Sequence, residues 1–147
     1  MNFAVPGPML IIDASCLYEV VISSPLAEQV RDYLDADPDR AAPSVIDVEV
    51  LGLIRRDRML GRLDGTAAEQ AVEDLQAWPG DRFGHQDLIP RAWELRENVR
   101  TWDAFYVALA ETLTGTLLTF DQRLARVSGL RCTVEVLVRP QTNGRSS

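Results

Sequence analysis

Short apolar runs alternate along the chain with longer stretches in which apolar residues recur every three or four positions, a rhythm that predicts strands and helices in turn. Met9 to Ile12 is a compact, partly β-branched run that stops at Asp13, as a buried strand does. Helical periodicity follows through Leu17 to Ile22, and Ser24-Pro25 sets an N-cap residue and a proline in the order that opens a second helix, running to about Ala36. Asp37-Pro38-Asp39 ends it. After a short extended piece at Ala41 to Pro43, Ser44 to Asp47 has the spacing of a capping box, with Asp in place of the usual Glu, and predicts a helix to about Asp57. Thr66 to Glu69 repeats the device before an amphipathic helix that ends near Trp78, ahead of Pro79-Gly80. Arg82 to His85 reads as a short strand, Leu88 to Asn98 and Trp102 to Leu113 as helices, and Gly115 to Phe120 as a buried strand. Asp121 to Val127 then reads as a short helix and Val134 to Val138 as the last strand.

Strands that alternate with helices are parallel neighbours joined by crossovers. The expected fold is therefore α/β, with three layers and helices on both faces of a mostly parallel sheet of four to five strands. No repeat or linker divides the chain, so residues 1–140 read as one domain and Gln141 to Ser147 as a polar, frayed tail. A chain of 147 residues buries roughly 70% of the surface that its unfolded form exposes, enough for one core without staples.

Composition narrows the function. Cys16 and Cys132 are far apart and belong to no CxxC or Cys/His cluster, which argues against a disulfide framework or a zinc site and favours a reducing cytosol. The N-terminus lacks a positive n-region, and no stretch approaches eighteen apolar residues, so neither secretion nor membrane insertion is expected. A net charge of -7 argues against a protein that coats nucleic acid through a broad basic face. All fifteen basic residues are arginine, which removes mechanisms that need lysine.

The candidate chemistry lies in carboxylates. In open α/β sheets ligands bind beyond the carboxyl ends of the strands, and two apolar strands here run straight into Asp13 and Asp121. Either residue could equally be the N-cap of the helix that follows. Glu49 has Val45, Ile46, Gly52 and Leu53 as its helical neighbours, so no arginine on its own helix pairs with it. It is either a half-desolvated anion in want of a cation or a rim residue that reaches water. Asp103 falls in the first turn of a helix whose remaining face, Trp102, Phe105, Tyr106, Leu109 and Leu113, reads as core; the helix dipole alone would account for it. His85 is the only histidine, which leaves catalysis to carboxylates or a metal, and it reads as a surface or strand-end residue.

Four segments carry a resemblance. Leu10-Ile11-Ile12-Asp13-Ala14-Ser15, Val48-Glu49-Val50, Trp102 to Glu111 and Leu118 to Ala125 resemble PIN-domain ribonucleases, and more narrowly the VapC toxins of bacterial toxin-antitoxin pairs, over essentially the whole domain. The resemblance implies a PIN-like fold and an endoribonuclease that hydrolyses RNA phosphodiesters with Mg2+ or Mn2+. The family's metal-binding acids fall on Asp13, Glu49, Asp103 and Asp121, its hydroxyl-bearing neighbours on Ser15 and Thr119, and a polar position near its pocket on Asn98. Trp102 and Phe120 depart from the smaller or different residues common there and would narrow the site. A cognate antitoxin and a homodimer are implied as partners, beside the RNA substrate. Arg55, Arg56, Arg58, Arg123 and Arg126 are candidates for phosphate contacts, though each could as well be part of a solvated helix face.

Rival classes fail on residues. A phosphorylated receiver module and a P-loop NTPase both need a lysine, no G-x-G-x-x-G supports a dinucleotide fold, and Asp13-Ala14-Ser15 lacks the second acid of a DxD phosphatase. A non-catalytic PIN-like interaction module is the remaining alternative.

Overall fold

A computed structural model of the chain describes residues 9–36 and 39–140. Among the described residues five strands form one sheet: β1 (Leu10–Ile12), β2 (Arg40–Pro43), β3 (Asp81–Phe83), β4 (Thr116–Thr119) and β5 (Thr133–Val136). Between them the described residues form six α-helices: α1 (Ala14–Val21), α2 (Ala27–Ala36), α3 (Val45–Met59), α4 (Gly65–Ala77), α5 (Ile89–Glu94) and α6 (Thr101–Thr112). The strand order is β3-β2-β1-β4-β5 and every pairing is parallel.

The strands at the centre are apolar throughout because parallel sheets are covered on both faces. Ile11, Ile12, Leu117 and Leu118 are fully enclosed. Helices α1 to α4 pack on one another, α5 packs on α6, and α6 lies over β1, β2 and β4. Gly115 lets the chain enter β4 tightly: a Cβ there would stand 2.5 Å from Met9 O and from Ile11 Cδ1. From β1 the chain builds outward through β2 to β3, then crosses to the other side of β1 to place β4 and β5. The order reverses between β1 and β4, and a crevice opens at such a switch point. Ile12 pairs with Leu118, and Asp13 N donates to Leu118 O at 3.2 Å, so the two acid-terminated strands end side by side.

Several local expectations are corrected. Ser44 does not cap α3: its backbone is already helical and its hydroxyl donates to Phe83 O at 3.1 Å. The free N–H of Val45 is accepted instead by His85 Nε2 at 3.0 Å, and Asp47 pairs with Arg82. The cap of α4 is Asp64, which accepts from Ala67 N at 2.8 Å, one position ahead of the helix and not within the Thr66 to Glu69 box. Ser24 shapes a turn that takes Leu26 N and Ala27 N before α2 begins. Residues 88–98 are not one helix: a 3-10 turn at Gln86–Leu88 leads into α5, which ends at Glu94. Only a 3-10 turn, Leu124–Arg126, forms after Asp121. The helix stop at Asp37-Pro38, the tail from Gln141 and the stretch before Met9 lie outside the described residues.

Candidate active site

Asp13 leaves the end of β1 and caps α1, its Oδ1 accepting from Cys16 N at 3.0 Å and from Ser15 Oγ at 2.6 Å. Its Oδ2 accepts from Thr119 Oγ1 at 2.5 Å, across the β1–β4 pair. Cap and cleft residue are thus the same side chain. All three donors are neutral, and burial, the dominant influence, pushes the Asp13 carboxyl above the usual aspartate range while the hydrogen bonds pull it back.

Asp121 follows β4. Its amide donates to Thr119 Oγ1 at 3.0 Å, so one threonine hydroxyl ties both strand-end aspartates together. It caps no helix; its Oδ1 takes Arg123 N at 2.9 Å, which closes a tight turn in place of one. Glu49 arrives from the second turn of α3, where Tyr106 of α6 donates to its Oε1 at 3.0 Å. Asp103 comes from the first turn of α6. Burial raises the carboxyls of Glu49 and Asp103 above their ordinary values. Repulsion from Asp103 and Asp13 adds to Glu49, and repulsion from Asp121 and Asp13 adds to Asp103, which Arg100 partly offsets.

These four acids line a single cleft of about 370 Å³ at the carboxyl end of the sheet, together with Ser15, Tyr106, Phe120 and three arginines. Two of the arginines cover acids. Arg123 grips Asp121 with Nε at 3.0 Å and Nη2 at 2.9 Å, and Arg100 lies 3.6 Å from both Asp103 and Asp121. Among the described residues no three acid, histidine or cysteine side chains are already gathered to enclose an ion. The acids share one cleft, with their oxygens held by hydroxyls and arginines.

Oxygen donors alone suit a hard cation such as Mg2+ or Mn2+. Two carboxylates about 4 Å apart repel by roughly 4 kcal/mol at an effective dielectric near 20, so several in one cleft either take up protons or gather cations. The raised proton affinity of Asp13, Glu49 and Asp103 is the same demand for positive charge seen in another form. The donor set therefore fits a divalent cation.

A family profile described as the PIN domain matches residues 10–130 of the chain. The chain belongs to the PIN-domain family. Among curated relatives, this PIN domain is similar to Ribonuclease VapC3 of Mycobacterium tuberculosis, 37% identical over 122 residues that cover 82% of this chain and 88% of that one. It is 32% identical to Ribonuclease VapC1 of the same organism, over 86% of this chain and 96% of that one. Two crystal structures share its fold at 20% identity. PAE2754 from Pyrobaculum aerophilum superposes with a TM-score of 0.62 over 88% of this chain and 84% of that one. VapBC-5 from Mycobacterium tuberculosis, a member of the VapBC family of toxin-antitoxin systems, gives 0.53 over 90% and 100%.

Within the PIN domain, the hydroxyls of Ser15 and Thr119 both donate to Asp13. Asn98 is exposed and lines a smaller adjoining hollow of about 120 Å³ that backs onto Asp103 and Asp121. Of the five arginines singled out, only Arg123 borders the cleft. Arg55 and Arg58 line a separate groove between α3 and α4, Arg56 pairs with Asp57, and Arg126 is exposed on the 3-10 turn. Tyr106, read from its spacing as core, is core and also the donor to Glu49; its place three residues after Asp103 on α6 was the available signal. Trp102, read as part of the same core face and as narrowing the site, is 59% exposed and does not line the cleft, whereas Phe120 does. Arg100 likewise precedes Asp103 by three. Arg139 has no local signal and reaches the cleft only through the fold.

Proposed function

We propose that this PIN domain is the endoribonuclease toxin of a toxin-antitoxin pair, hydrolysing RNA phosphodiester bonds with the help of Mg2+ or Mn2+. The observation that carries the reading is the single cleft in which Asp13, Glu49, Asp103 and Asp121 meet, in a chain whose relatives are named ribonucleases. Asp13, Glu49 and Asp103 would hold the cation. When bound, it supplies the positive charge and Lewis acidity that phosphodiester hydrolysis needs.

The chain's own residues do the rest. Thr119 and Ser15 fix both oxygens of Asp13 and keep the carboxylate aimed along the cleft, as supporting hydrogen bonds do for metal ligands. Tyr106 fixes Oε1 of Glu49, and among the described residues Oε2 has no donor. Asp121 orients the attacking water or holds a second cation. Such an enzyme works on cellular RNA and needs restraint, so the proposal places it in the cytoplasm under a cognate antitoxin, with a homodimer as its resting form. The acidic cleft is a natural receptor for an arginine from that antitoxin. No helix among the described residues is long and apolar enough to cross a membrane.

The test is cleavage of end-labelled single-stranded RNA by the purified chain with Mn2+, with Mg2+ and with chelator, beside Asp13→Asn and Asp103→Asn. Cleavage that needs the cation and drops in both variants is the expected result. Cleavage in chelator, or full activity in both variants, overturns it; RNA binding without any cleavage would favour the interaction-module alternative. Size-exclusion chromatography, alone and with the neighbouring gene product, tests the two protein partners.

A further inference from the structure

An acidic cleft in a protein of net charge -7 repels the polyanion it is proposed to cut, so cations on the cleft wall must meet the phosphates that flank the reacting one. Three arginines line the cleft, and they are not equivalent. Arg123 spends its guanidinium edge on Asp121, and Arg100 lies between Asp103 and Asp121. Both are committed to the acids themselves.

Arg139 is built differently. Its Nη1 donates at 3.1 Å to Oε1 of Glu19, a buried residue of α1 that does not line the cleft. Its guanidinium carbon lies 4.6 Å over the centre of the Phe120 ring. The side chain is 52% exposed, and among the described residues Nε and Nη2 have no acceptor. One edge is therefore anchored and one face is stacked, while two N–H groups remain on a half-open cation beside the acids. Phe120 in turn stands between Thr119, which holds Asp13, and Asp121. A guanidinium is planar, permanently charged and matched to phosphate oxygens, and one already held by an ion pair and a ring loses little freedom on binding.

Resting on the ribonuclease reading above, we infer that Arg139 is a substrate-binding residue that holds a backbone phosphate of single-stranded RNA next to the acid cleft. Glu19 and Phe120 restrain its side chain, but the phosphate contact itself needs only the cation. The competing role is structural, since Arg139 also fastens the chain after β5 to α1. Charge separates the two roles, because a fastener fails when either partner is changed, whereas a phosphate contact fails only when the cation goes.

The experiment measures binding of a fluorescent ten-nucleotide RNA by anisotropy, in chelator, across a NaCl series, for the wild-type chain, Arg139→Gln, Arg139→Lys and Glu19→Gln. Each phosphate contact on a single strand contributes a slope of about 0.7 in log affinity against log salt. Arg139→Gln is expected to lose a slope of about that size, while Arg139→Lys and Glu19→Gln keep the wild-type slope. With Mn2+ present, Arg139→Gln should raise KM and leave kcat nearly unchanged, the signature of lost uniform binding. An unchanged slope in Arg139→Gln, or an equal loss in Glu19→Gln, overturns the inference and leaves the ribonuclease reading standing. A wild-type chain that neither binds nor cuts RNA removes both.

Discussion

Asp13 and Asp57 each expose only 8% of their surface, but Asp13 lies deep at the end of the sheet and Asp57 close under the surface, and their surroundings are opposite. Asp57, near the end of α3, takes a hydrogen bond from the Tyr18 hydroxyl on Oδ2. Its Oδ1 accepts from Arg56 at 3.1 Å and lies 3.5 Å from Arg62. The Tyr18 bond, ahead of the two arginines, holds its carboxyl below the usual aspartate range. Among the described residues Asp13 has three neutral donors and no paired cation, and burial holds its carboxyl above that range. A buried anion is costly unless paired. At Asp57 the chain provides the counter-charge, and the anion fastens α1 to α3. At Asp13 the described residues provide alignment without a counter-charge, the arrangement that the proposed cation-dependent site would require.

The largest test of that contrast exchanges each aspartate for asparagine. Asp13→Asn should lower RNA cleavage by at least about 100-fold, the upper end of what losing even a supporting partner of a metal costs, with no loss of melting temperature. Asp57→Asn should do the reverse. Losing hydrogen bonds to a charged group costs about 2 kcal/mol, or about 5 °C in Tm for a chain of this size, while activity per folded molecule stays near wild type. Thermal melts and RNA assays on the same preparations read both, and a drop in activity at Asp57 with no change in melting would dissolve the contrast.

The next effect is on pH, in chelator. The folded state holds protons on Asp13, Glu49 and Asp103 more tightly than the unfolded chain does. Their joint contribution to stability is thus greatest below the ordinary carboxylate range near 4 and declines as pH rises through their raised folded values. Asp57 has the opposite sign: its contribution is complete above about 4 and is lost as pH falls through its lowered folded value. Urea unfolding from pH 3 to 7 should show the wild-type chain losing stability on the alkaline side of 4, a loss that Mn2+ reverses. Asp57→Asn should lack part of the acid limb only.

The smallest effect concerns the arginine that covers the cleft. Arg123 is 67% exposed in its pair with Asp121, and an exposed pair contributes about 0.2–1 kcal/mol. Arg123→Ala should therefore tighten Mn2+ binding, measured by calorimetry without RNA, by no more than about fivefold. Weaker Mn2+ binding in that variant would show that Arg123 supports the site instead of competing for it.

Much of this was legible in the residues. The period of the apolar positions gave the parallel α/β order, and the two strands that run into aspartates marked the crevice, because strand length and strand-end position are written in adjacent residues. Glu49 stood out because its own helix offers it no cation. Caps were less legible. Ser44 looked like the start of α3, but its hydroxyl is drawn to Phe83 and its place is taken by His85, forty residues beyond Val45. Arginine roles were least legible, since a guanidinium on a long stem is placed by whatever the fold brings near it.

By itself the sequence determined the alternation of strands with most of the helices, which acids stand at strand ends, and that the cleft must work without lysine. Those properties depend on windows of a few residues. Tertiary structure alone decided that Tyr106 holds Glu49, that Thr119 joins Asp13 to Asp121, and that Arg139 is anchored by Glu19 at the cleft wall while Arg55 and Arg58 face elsewhere. Three of those contacts span 57, 106 and 120 positions of chain, and their partners meet only because parallel strands and packed helices bring them to one end of the sheet.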